Sequence, residues 1–140
     1  YFYAIFGARD YVAGHPEAAT EARYQHCRWI GFDDTRGRSD SFEWLCAKIG
    51  RVPQIRCSNA GTILNALLAG TGLAVLPCFI GAEESSLLQL TAPIEDLDHE
   101  TMWLVVHEDM RNRPRVRLVA DRIAALFHRY RHQLQPEGAG

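Results

Sequence analysis

The sequence predicts the α/β class. Short apolar runs alternate with stretches of helical period, as in strands covered by helices. The clearest instance is strand, helix, strand within Gln54–Leu76. No internal repeat or low-complexity segment interrupts the alternation.

Tyr1–Phe6 is aromatic and apolar and reads as a strand. Ala8–Ala13 reads as a short helix stopped by Gly14 and Pro16. Thr20 is placed to cap a second short helix through about His26. Arg28–Phe32 (RWIGF) reads as a strand ending at Asp33-Asp34, and Thr35–Arg38 as a loop. Ser39 or Asp40 caps a helix with Phe42, Leu45, Cys46 and Ile49 on one face, ending at Gly50.

Pro53 breaks the chain before a strand at Gln54–Cys57. Ser58 or Asn59 then caps a helix with apolar residues at Ala60, Ile63, Leu64, Leu67 and Leu68, the spacing of one buried face. Gly70 or Gly72 ends it, because either adopts a left-handed turn. Leu73–Leu76 is an all-apolar strand stopped by Pro77. One helical turn at Cys78–Gly81 and a brief strand at Leu87–Leu90 follow. Thr91–Asp98 is an acidic connection, Thr101–Val106 an apolar strand. A long helix begins at Pro114, with Val116, Val119, Ala120, Ile123, Phe127 and Tyr130 on one side. Gln133–Gly140 reads as a loose tail.

At 140 residues the chain is about one domain. A net charge of −2 gives no general attraction to nucleic acid. No apolar run approaches the roughly 18 residues of a membrane span. Cys27, Cys46, Cys57 and Cys78 are irregularly spaced without a CxxC pair, which reads as buried free thiols in a reducing compartment rather than a disulfide framework or zinc site. The opening YFYAIFG reads as a strand in mid-fold, with an upstream portion expected.

The strand before Ser58 delivers the chain to a helix N-terminus at Ser58–Thr62. Unsatisfied N–H groups and the positive dipole end favour an anion or polar ligand there; an ordinary water-covered cap is the alternative. Asp33-Asp34 could serve as acid and base, hold a metal or orient a ligand, or simply form the turn before Gly37. Gly70-Thr71-Gly72 is in the wrong order for a phosphate loop, following a helix and preceding a strand. His128 and His132 have metal-ligand spacing but stand among Arg129 and Arg131, which repel cations. Arg111, Arg113, Arg115 and Arg117 form a basic run read as a solvated or subunit-facing surface. GxSxG, HExxH and a Cys paired with a well-placed His are all absent. No catalytic residue, metal or cofactor is indicated.

The ordered set ARDYVAGHP (8–16), RWIGFDD (28–34), SNAGTILNALLAGTGLAVLPCF (58–79) and WLVVHEDMRNRPRVRLVADRI (103–123) resembles the effector-binding domain of LysR-type transcriptional regulators. The resemblance spans nearly the whole chain. It implies a two-lobed α/β fold like that of type 2 periplasmic binding proteins. Residues 1–97 would form the second lobe, with the incoming crossover strand at 1–6. Residues 98–140 would be the return crossover, strand and helix of a partial first lobe. It further implies a non-enzymatic, cytoplasmic sensor that binds a small metabolite between the lobes. DNA would be contacted only through a helix-turn-helix domain outside this chain, within a homodimer or homotetramer. The positions matching the family's ligand contacts are Phe32, Asp33 and Asp34, and Ser58, Asn59 and Thr62. A solute-binding protein of the same fold is the alternative.

Overall fold

The computed structural model describes residues 1–33, 39–97 and 102–134. Five strands form one mixed sheet in the order β3-β2-β4-β1-β5. They are β1 (Tyr3–Ala8), β2 (Trp29–Phe32), β3 (Ile55–Cys57), β4 (Leu73–Pro77) and β5 (Leu87–Gln89). β2 runs parallel to β3 on one side and to β4 on the other. β1 runs antiparallel to β4 and β5. The short connection from β3 to β4 therefore steps over β2.

The described chain also holds three 3-10 helices and seven α-helices: α1 (Arg9–Gly14), α2 (Asp40–Ile49), α3 (Ala60–Leu68), α4 (Cys78–Ala82), α5 (Glu108–Arg111), α6 (Pro114–Arg129) and α7 (Arg131–Leu134). The caps expected for α2 and α3 are present. Ser39 Oγ accepts from the Phe42 amide at 3.3 Å at the start of α2. Gly50 closes that helix at φ 69°, a left-handed conformation that costs glycine little. Gly70, at φ 68°, turns the chain after α3 in the same way.

Trp29, Phe6, Ile5, Ile30, Leu73 and Leu76 are fully buried in the sheet, with Leu67 of the covering helix packed against them. The one polar atom of Trp29's ring is satisfied, Nε1 donating to the Tyr24 carbonyl at 2.7 Å. α3 packs across β1 and β2 through Ile63 and Leu67. Its buried stripe is narrower than the apolar spacing suggests: Leu64 is half-buried, Ala60 is exposed and Leu68 is 36% exposed. On α2, Cys46 is only half-buried, and Ser41 takes a buried place beside Phe42.

Other expectations need correction. The first strand lies two residues later than its aromatic run, because pairing with β4 fixes its register. Residues 16–26 form two 3-10 helices, Pro16–Ala19 and Glu21–His26, and Thr20 caps neither with its side chain. Leu134 still belongs to α7 rather than to a loose tail. Met102–Val106 is not a strand: it has no regular secondary structure and no strand partner among the described residues, with Trp103 82% and Val105 84% exposed. Its composition suits a strand, but β propensity reflects packing against neighbours, and here none is supplied. The Thr35–Arg38 loop lies outside the described residues.

The four cysteines are free, but only Cys27 and Cys57 are buried as expected; Cys46 and Cys78 are half-buried. Among the described residues no cluster of metal-binding side chains occurs. His128 and His132 do not share one helix, because α6 ends at Arg129 and α7 begins at Arg131. No helix of the described chain is long and apolar enough to cross a membrane.

Candidate functional site

The parallel pairing of β2 with β3 brings two of the predicted loops together. Phe32 stands opposite Cys57 in the register. One residue on, the Asp33 amide donates to the Cys57 carbonyl at 2.9 Å. Ser58 and Asn59 follow directly, so residues 32–33 and 58–59 leave the carboxyl ends of adjacent strands side by side. That edge is where ligands sit in open α/β sheets. Phe32 and Asp33 are half-buried, while Ser58, Asn59 and Thr62 are exposed. Asp34 lies outside the described residues.

Asn59, not Ser58, is the cap of α3. Its Oδ1 accepts from the Thr62 amide at 2.9 Å and from Thr62 Oγ1 at 3.2 Å. Its Nδ2 donates to Ser58 Oγ at 3.4 Å. Asn59 and Thr62 are thus partly committed to holding each other. The amides of Ala60 and Gly61 precede the first intrahelical bond and remain available at the positive end of the helix. A side chain at Gly61 would bring its Cβ within 3.3 Å of Asn59 Oδ1, so glycine leaves room for the cap.

The charge balance is mixed. The Cys57 thiol is pushed above its ordinary value, first by burial and then by the nearby Asp33 carboxylate. The carboxylate opposes a bare anion while the helix end favours one, an arrangement suited to a ligand with both polar and charged groups.

Sequence reasoning missed a further part of this edge. β4 runs parallel to β2, so its end at Pro77 faces the same way as Phe32 and Cys57. β1 begins there, with Tyr3 opposite Pro77 and the Cys78 amide donating to the Phe2 carbonyl at 2.8 Å. Tyr1 packs edge-on against Phe79 with ring centroids 5.7 Å apart, and its hydroxyl lies 3.4 Å from that of Tyr3. The aromatic opening was the available signal, but the antiparallel placement of β1 beside β4 was needed to read it.

Residues 3–127 match the family model described as the LysR substrate binding domain. The chain belongs to the LysR substrate-binding domain family. Its mixed α/β sheet with flanking helices is the periplasmic-binding-protein-like fold of that family. Among solved structures, this LysR substrate-binding domain is similar to the regulatory domain of CrgA, a LysR-type transcriptional regulator from Neisseria meningitidis. The TM-score is 0.64 at 15% identity, over 89% of this chain and 64% of that one. At that identity the likeness speaks for the fold alone. The LysR substrate-binding domain thus spans 64% of the length of the solved domain it matches. No curated protein sequence matches it.

Proposed function

We propose that this chain senses a small-molecule effector for a LysR-type transcriptional regulator, binding the ligand at the edge formed by Phe32, Asp33, Ser58, Asn59 and Thr62, with Asp34 as a further ligand contact. The observation that carries the reading is the Asp33–Cys57 backbone hydrogen bond, which joins the two loops at the ends of parallel strands. The role is binding rather than catalysis: a mixed-charge edge with a capped helix end orients a ligand. DNA would be reached through a helix-turn-helix domain outside this chain, in a cytoplasmic homodimer or homotetramer. The outer side of α3, where the small residues Ala66 and Ala69 are half-buried and exposed respectively, is suited to a subunit contact.

Residues 1–97 act as one lobe in this reading, and 98–140 return to the other. Two features support the division. Residues 102–106 take no regular secondary structure, and 102–105 are exposed. Beside it, Leu104, Val106, Val116, Val119, Ala120 and Ile123 line an open apolar groove of about 320 Å³. Both suit a strand and helix that finish a sheet built elsewhere in the protein. A ligand between the lobes favours the closed arrangement only by its differential affinity for it, typically about 1–3 kcal/mol.

The test is a thermal-shift screen of small organic acids, amino acids and their amides on the full-length regulator, repeated with Ser58→Ala and Asn59→Ala. A compound that raises the wild-type midpoint should lose most of its effect in at least one variant. An unchanged response in both removes this edge from the site.

A further inference from the structure

We propose that Trp44 and Asp96 form a strut that holds the segment leaving the sheet, residues 94–97, against α2. Trp44 lies half-buried on α2 and packs against the core, which fixes the direction of its ring N–H. That N–H donates to Asp96 Oδ2 at 3.1 Å, across 52 residues of sequence. Asp96 sits in the 3-10 turn Glu95–Leu97. One helical turn further along α2, Lys48 Nζ stands 5.7 Å from the centre of the Trp44 ring. Lys48 also pairs with Glu21, on the 3-10 helix before β2. A chain of four side chains therefore crosses the outer face of α2 and joins three elements far apart in sequence.

The opposite side of the leaving segment is held by backbone. The Ile94 amide donates to the Tyr3 carbonyl at 2.8 Å, and Leu97 to Ile94 at 3.1 Å. Ile94 and Leu97 are buried, whereas Asp96 is exposed and is oriented, among the described residues, by its contact with Trp44. An acceptor carrying charge makes this bond stronger than a neutral one, and the ring N–H is already immobilised before it forms. Trp44 and Asp96 act as positioning residues: they set where residues 94–97 lie against α2. The strut stands independently of any ligand.

Hydrogen exchange on the full chain tests it, using Trp44→Phe, which keeps a ring and removes the donor, Asp96→Ala, and the double variant. Each single change should speed exchange at the Ile94 and Leu97 amides by about three- to tenfold, leaving Ile30 and Val75 in the sheet unchanged. The double variant should exchange no faster than the faster single. Unchanged protection at 94 and 97, equal acceleration throughout the sheet, or additive effects in the double variant would each overturn the strut.

Discussion

The amide of Asp33 and the carbonyl of Cys57 meet at 2.9 Å, and that single bond makes one rim out of two loops 24 positions apart. A change on either side of it is felt on the other. The side chains that follow it divide into those that build the rim and those that remain open to a ligand.

Asn59→Ala removes the acceptor of the Thr62 amide at the start of α3. Loss of such a cap costs about 1 kcal/mol. The thermal midpoint should fall, with faster exchange confined to the first turn of α3. Ser58→Ala removes only an acceptor of the Asn59 side chain and should leave the midpoint nearly unchanged. An equal fall in both would show that Asn59 is not the cap.

Five groups carry values raised mainly by burial: Tyr11, Tyr24, Cys27, Cys57 and Cys78. In the folded chain each keeps its proton at a pH where the unfolded chain releases it, so their contribution is complete below the ordinary values of 9.0 for thiols and 10.0 for phenols. It is lost as pH rises through the higher folded values. Denaturant midpoints measured from about pH 7 to about pH 11 should hold level at first and then decline. Within this set, Asp33→Asn removes one of the two causes raising Cys57, so alkylation of that thiol at fixed pH should quicken.

Gly72→Ala should be among the most damaging small substitutions. Its Cβ would lie 2.5 Å from the Arg28 carbonyl oxygen, a backbone atom. That oxygen also accepts from the Leu73 amide at 2.8 Å, at the point where β4 joins β2. Relieving the clash must move a strand, with a cost of about 1–3 kcal/mol expected from overpacking. Gly14→Ala, with open space at its Cβ, is the control and should melt near the wild type.

Trp103→Lys should barely change the melting of this chain, since the indole is 82% exposed and supports no core. It should reduce self-association, read by sedimentation, and binding of an apolar dye, because the patch at residues 102–105 is large and apolar. A large loss of stability instead would place Trp103 in a packed environment.

Much of the fold was legible because its signals are local. The spacing of Phe42, Leu45 and Ile49 and the glycine at 50 define α2 before any neighbour is known. The site was half legible. The strand-to-helix junction at Ser58–Thr62 announces itself through capping chemistry, but the choice of Asn59 over Ser58 depends on backbone geometry. The partnership of Asp33 with Cys57 depends on which strands pair, a non-local fact. The aromatic group at Tyr1 and Phe79 was hidden for the same reason. Met102–Val106 shows the converse: its composition promised a strand, yet a strand exists only where another strand receives its hydrogen bonds.

Ile94 donating to Tyr3 also means that the ways into and out of the sheet body lie shoulder to shoulder. If the proposed division at residue 97 holds, residues 3–97 are a cassette with both ends at one doorway. Such a unit could be spliced into a surface turn of an unrelated host with little loop-closure entropy, carrying its rim of strand ends along intact.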